Sequence, residues 1–209
     1  QDKFYSALEK NIAETIGIPY EIIKIVNPNL MGICEAYNKG ASLSKYDYLL
    51  FVHEDVIFHT NNWGGVIVDI FNEDENVGLI GVAGSKVKTK APSGWWSCPE
   101  NYKVINILQH VNSKVEKWDF GENEKVTEVA AIDGVFMITK KTADLYFDER
   151  LKGFHNYDLF LSTFIKRKNE KIVVTKDILI EHFSNGNVNF DWFKKALTFY
   201  KINKKNLPL

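Results

Sequence analysis

Six segments of contrasting periodicity alternate over the first 82 residues, and that alternation limits the possible folds more than any other feature. Phe4, Leu8, Ile12 and Ile16 recur every four residues, with Gly17 after them as a stop signal, which predicts an amphipathic helix. Residues 20–26 (YEIIKIV) form a short, apolar, β-branched run ending at Asn27-Pro28, a strand and turn signature. Ile33, Ala36, Tyr37, Gly40 and Ala41 return to helical spacing, residues 48–52 (YLLFV) read as a strand, Trp63, Val66, Ile67, Ile70 and Phe71 as a helix, and residues 77–82 as a strand. Helices and strands in strict alternation predict a mainly parallel sheet with helices on both faces. Such a sheet normally opens with a strand. Here the first element is a helix, so the expectation is that the opening strand is missing.

The second part of the chain reads differently. Residues 84–102 (GSKVKTKAPSGWWSCPENY) predict a long surface loop, and loops of that length are often functional. Residues 104–111 and 126–139 read as strands, a helix is expected from about Asn156, and residues 172–175 and 178–182 as strands. Phe193, Ala196, Leu197 and Tyr200 mark the buried stripe of a last helix. The organisation expected is one domain over residues 1–209, with a first half over 1–83 and a second over 84–209.

Charge narrows the function. Twenty-six basic and 27 acidic side chains nearly cancel, which argues against a general nucleic-acid binder. No apolar run approaches the roughly 20 residues of a membrane-spanning helix. Two cysteines, Cys34 and Cys98, make neither a disulfide scaffold nor a zinc site by themselves, and a reducing compartment is the simpler expectation.

Four places could carry chemistry. His53-Glu54-Asp55 follows the YLLFV strand, and ligands of open α/β sheets bind beyond the carboxyl ends of strands. In an extended chain His53 and Asp55 share a face, and an acid there can hold a divalent cation beside a diphosphate; the plainer reading is an acid turning a corner. Within Gly153-Phe154-His155-Asn156-Tyr157-Asp158, Asn156 can cap a helix and Asp158 then lies in its first turn. Asp158 suits a general base at the edge of a cleft, or it only compensates the helix dipole. His182 ends a strand before Phe183-Ser184-Asn185-Gly186 and can complete a metal shell or simply hydrogen bond. Trp95-Trp96 in the long loop can stack on sugar rings or bases, or one ring can pin the loop.

Taken together, these segments resemble a family 2-type glycosyltransferase of the GT-A fold. Asn29-Leu30-Met31-Gly32, Glu35-Ala36-Tyr37-Asn38-Lys39-Gly40 and the strand ending in His53-Glu54-Asp55 are similar to its front half, where a D-x-D-like metal motif follows the strand. Residues 126–140 (VTEVAAIDGVFMITK), Phe147-Asp148-Glu149 and Gly153 to Asp158 are similar to its second half. The match is nearest a bacterial subgroup with H-x-D in place of D-x-D. The resemblance spans residue 3 to about 190. It lacks the family's opening V-S-V-I-I-like strand before Phe4, and His53 replaces an acid.

The resemblance implies an α/β, GT-A-like fold: a mainly parallel central sheet, helices on both faces and a small antiparallel second sheet. It implies transfer, with inversion, of a sugar from a nucleoside-diphosphate sugar (UDP-sugar first) to a hydroxyl on a glycan, lipid-linked or protein acceptor in bacterial surface or protein glycan synthesis. By the same resemblance Asp55 and His182 hold Mn²⁺ or Mg²⁺, and His53 lies near the ribose. Asn27 and Asn38 lie near the nucleoside, and Asp133 lines the sugar pocket. Asp158 is the general base, and Trp95, Trp96 and His155 lie on the acceptor side. The implied place is the cytoplasm or the inner face of its membrane. The competing reading is a non-catalytic nucleotide- or glycan-binding domain on the same fold. A nucleotidyltransferase would want a Gly-rich phosphate loop, and neither G-x-G-x-x-G nor G-x-x-x-x-G-K-[ST] occurs.

Overall fold

A computed structural model describes residues 2–28, 30–184, 186 and 188–209. Asn29 and Asn185, both within the sequence motifs, lie outside the described residues. The first helix, α1 (Asp2–Thr15), buries Leu8 and Ile12, the stripe its spacing predicts. It is followed by α2 (Ile33–Leu43), β1 (Tyr48–Val52), β2 (Val56–Phe58), α3 (Trp63–Glu73), β3 (Val77–Gly81) and β4 (Ala83–Ser85). The second part contains β5 (Lys103–Val111), β6 (Lys114–Phe120), β7 (Val126–Val129), β8 (Ala131–Ile132), β9 (Phe136–Lys140), α4 (Tyr157–Arg167), β10 (Lys171–Thr175), β11 (Ile180–His182) and α5 (Phe190–Asn203).

The strands form two sheets. One has the order β1-β9-β3-β10-β7, and the other the order β2-β11-β5-β4-β8, with β6 hydrogen-bonded to β5. The expected α/β class and two-sheet plan are present. The mainly parallel pairing is not: β3 with β10 is the parallel pair described in the first sheet, and β5 with β11 in the second. The helical crossovers do make β1, β3 and β10 run in one direction, as the alternation implied. The late strand β9 then inserts antiparallel to both β1 and β3. That pairing joins residues about 60–90 apart in sequence, which local periodicity does not register. The second sheet is also larger than expected and not wholly antiparallel.

Residues 20–26 form no strand, contrary to their composition. No backbone ladder with described residues takes them up, and Ile22 and Val26 remain exposed. Glu21 Oε1 instead accepts a hydrogen bond from the Lys45 amide at 2.6 Å. β-propensity is chiefly fit to a half-buried sheet surface, so without a neighbour it does not act.

The core lies between the two sheets and their helices. Leu79 and Ile80 on β3, Phe136 and Met137 on β9, and Ile172 and Val174 on β10 have no exposed surface. α4 packs against β8, β10 and β3, and every residue from Leu159 to Ile165 is buried. At the other end α1 lies on β2, where Asn11 both donates to the Phe58 carbonyl (3.0 Å) and accepts from its amide (2.7 Å). These two bonds fasten β2 to α1, and with it the far end of the turn that leads out of β1.

Candidate active site

The turn joining β1 to β2 crosses from one sheet to the other, and His53 and Asp55 lie on it. The chain there is a turn rather than an extended strand, so the simple alternation argument for a shared face does not apply. The register of β2 with β11 brings the residues together instead: Ile180 faces Phe58 and His182 faces Val56. His182 is thus placed beside the residue after Asp55, and the Phe183 amide donates to the Asp55 carbonyl at 3.1 Å. His182 Nε2 lies 3.6 Å from Asp55 Oδ1 and 3.5 Å from His53 Nδ1. The three ligand atoms fall within 4.8 Å of one another.

Hydrogen bonds behind these side chains orient them. His182 Nδ1 donates to Gln109 Oε1 at 3.0 Å, and Gln109 Nε2 donates to the carbonyls of His110, His182 and Ser184. With its proton on Nδ1, His182 turns the Nε2 lone pair toward Asp55 and His53. Burial pushes the His182 imidazole below its ordinary pKa, and the Asp55 charge opposes that shift. His53 Nε2 lies 2.6 Å from the Tyr157 hydroxyl, so His53 can donate there and present its own lone pair at Nδ1. Gly134 makes this possible, because a Cβ at that position would lie 2.2 Å from the Tyr157 oxygen. Two imidazole lone pairs and a carboxylate aimed at one point repel one another unless a cation or proton lies between them. That donor set fits a divalent metal with open coordination positions.

Asp158 stands in the first turn of α4 and lines a cavity of about 270 Å³ shared with His53, Asp133, Tyr157 and His182. Its Oδ1 accepts from the Leu159 amide at 2.8 Å. Asn156, the expected cap, has φ +63° and makes no side-chain capping bond. Enclosure by protein, and then the charge of Asp133, raise the Asp158 carboxyl to about 7. Asp133 is itself clamped: Oδ2 accepts from Trp95 Nε1 and Oδ1 from the Val135 amide, both at 2.8 Å.

Of the residues singled out from sequence, His53, Asp133, Asp158, His182, Trp96 and His155 line this one cavity, and Asp55 joins it through His182. Burial lowers the His155 pKa, with the Lys195 charge acting the same way. Three others lie elsewhere. Trp95 is buried and pins the loop through Asp133, which is the plainer of its two readings. Asn27 holds a turn through the Leu30 and Met31 amides. Asn38 fastens α2 to the Phe147 backbone by bonds of 2.7 and 2.9 Å. Neither asparagine lines the cavity. His53 lies within the candidate metal cluster with Asp55 and His182. Tyr157, Gln109 and Trp192 also serve the site, and of these only Tyr157 carries a sequence signal, its place beside Asp158.

The two sheets meet at a carboxylate–imidazole cluster, and Asp158 lines the same cavity. The chain belongs to the glycosyltransferase-like family, whose model matches residues 3–207. No curated protein matches it. Among solved structures it is similar to GalNAc-T7, crystallised with UDP, GalNAc and Mn²⁺, at 10% identity and TM-score 0.55. That likeness covers 87% of this chain and 39% of GalNAc-T7, so the chain spans well under half of that relative. A197 from STIV is similar at 15% identity and TM-score 0.42, over 80% of this chain and 74% of that one. Among the described residues no helix is long and apolar enough to cross a membrane.

Proposed function

We propose that the chain transfers a sugar, with inversion, from a nucleoside-diphosphate sugar to an acceptor hydroxyl, and that it requires a divalent metal. UDP-sugar is the donor class favoured, since the structural neighbour was crystallised with UDP and Mn²⁺. The observation that carries the reading is the opening of the His53–Asp55–His182 cluster onto the same cavity as Asp158. Those three residues would hold the metal, and two imidazoles among three donors favour Mn²⁺ over the harder Mg²⁺. A divalent ion bound there would supply positive charge beside a departing nucleoside diphosphate.

The chain's own groups do the rest. An acceptor hydroxyl directed at Asp158 gives up its proton to the carboxylate as its oxygen bonds to the anomeric carbon. The bond from that carbon to the diphosphate oxygen breaks, and its electron pair leaves with the diphosphate. A carboxyl raised to about 7 is a far stronger base than an exposed one and is still substantially ionised near neutral pH. Asp133, fixed by Trp95 and Val135, offers its outward lone pairs to hydroxyls of the transferred sugar. Action in the cytoplasm or at the inner membrane face, in bacterial glycan synthesis, belongs to the same reading. The test is metal-dependent release of UDP from a panel of UDP-sugars. Release with Mn²⁺ that falls in Asp158→Asn supports transfer, whereas binding of UDP with no release from any donor leaves a binding domain only.

A further inference from the structure

The cavity has an aromatic wall that the proposed chemistry does not use. Trp96 comes from the loop before β5 and Trp192 from the first turn of α5. Their rings lie 5.6 Å apart at 45°, and both line the cavity with Phe154 and Val188. The pair is built rather than incidental. Trp96 meets the edge of the pinned Trp95 ring at 89°. Gly94 leaves the space it occupies, since a Cβ there would come within 2.5 Å of the indole. Asn189 Oδ1 accepts from the Trp192 amide at 2.9 Å and sets the start of α5. Trp96 is 37% exposed and Phe154 52%, so apolar ring surface stays in water at the mouth of a polar site.

Resting on the proposed transferase activity, we infer that Trp96 and Trp192 form the subsite for a pyranose ring of a saccharide acceptor. The enzyme then extends an existing glycan and depends on an earlier reaction that attaches the first sugar. A pyranose has an apolar C–H face and a polar rim. A wedge of two indoles takes the face, while His155, Ser184 and Asp158 in the same cavity take the hydroxyls. A lipid chain has no polar rim to match, and a peptide that stacks there is one of the outcomes the test distinguishes. The more exposed Phe190 and Phe193, where an inserting surface would be sought, do not line the cavity.

Saturation-transfer NMR tests this with a panel of methyl pyranosides, in the presence of UDP and Mn²⁺. The expected result is transfer to the ring C–H protons of at least one glycoside. The affinity read from titrating the glycoside falls by roughly 5- to 150-fold in Trp192→Ala and in Trp96→Ala, the scale on which losing an aromatic stacking face acts. Trp192→Phe, which keeps a flat face, retains most of it, and Gly94→Ala, which displaces the Trp96 ring, mimics Trp96→Ala. Thermal unfolding of each variant checks that it is folded. The inference is overturned if no glycoside receives transfer, if transfer persists in both alanine variants, or if a Ser/Thr peptide or dodecyl phosphate binds at these tryptophans instead. Calorimetry of UDP and Mn²⁺, and donor hydrolysis, on the unaltered protein report separately on the underlying activity: if they succeed while every glycoside fails, only the acceptor assignment is lost.

Discussion

His53, Asp55 and His182 stand on strand ends braced by both sheets, whereas Trp96 and Trp192 at the same cavity stand on a loop and the first turn of a late helix. The first group is tied by the β2–β11–β5 ladder and by Gln109 and Tyr157 behind it. The second rests on one glycine's missing side chain and one asparagine cap. Rigid placement suits groups that must hold a cation to within a fraction of an ångström. Loop and helix-end placement suits groups that select a partner and can vary without disturbing the chemistry. The contrast predicts that substitutions at the braced wall change catalysis and metal affinity, and that those at the aromatic wall weaken or redirect acceptor binding and leave UDP and Mn²⁺ binding intact.

The largest effect should come from Asp55→Ala, which removes the charged member of the cluster. Heat of Mn²⁺ binding in the presence of UDP should fall below detection, and undiminished binding would detach the cluster from any metal role. Next comes Asp158→Asn. General-base catalysis supplies roughly 10²–10⁴-fold, so turnover should drop by that factor while UDP and Mn²⁺ still bind. In the unaltered enzyme the rate should rise with pH through about 7, as the Asp158 carboxyl loses its proton. A rate already flat from pH 5 to 8 would exclude Asp158 as the titrating base.

The same carboxyl makes stability depend on pH. Its folded-state pKa is raised above the unfolded value, so the folded state binds the proton more tightly. The resulting stabilisation is complete below about pH 4 and is lost as pH rises through about 7. The full shift sets an upper limit of about 4 kcal/mol, and hydration from the cavity reduces it. Metal-free protein should therefore lose urea resistance between pH 5 and pH 8, and Asp158→Asn should flatten that slope. Parallel slopes in the two proteins would mean that the carboxyl is not held in a shifted state.

The two walls also differ in how far sequence discloses them. The helix stripes and the YLLFV strand are strongly periodic, and β1 falls on residues 48–52 as the pattern predicts. His53, Asp55 and His182 could be singled out because chemistry gathers where strands end. Their mutual approach depends on β2, a three-residue strand too short to signal itself. β6 is hidden for another reason: KVEKWDF is largely exposed and, among the described residues, pairs with β5 alone, so no apolar alternation marks it. Residues 20–26 fail in the opposite sense, with strand composition and no partner. Trp95 and Trp96 are indistinguishable by type, yet one is buried against Asp133 and the other faces the cavity. The indole of Trp192 reaches the site only through the packing of α5, about a hundred residues later in the chain.

The smallest effect, and the one that separates bracing from ligation, is expected at Gln109. Its side chain does not belong to the ligand cluster, but its Oε1 fixes the proton of His182 on Nδ1 and its amide group ties down three carbonyls around the strand end. Removing such a support typically weakens metal affinity by about 10–100-fold without abolishing it. Gln109→Ala should show that loss by calorimetry with Mn²⁺. Gln109→Glu keeps an acceptor for the His182 proton and should recover much of the affinity, while losing the donated bonds to the three carbonyls. Equal loss in both variants would assign the effect to those carbonyls and to the local backbone. Full affinity in Gln109→Ala would mean that the ladder alone holds His182 in place, and the contrast between a braced wall and an adaptable one would then rest on the backbone and not on the side chains behind it.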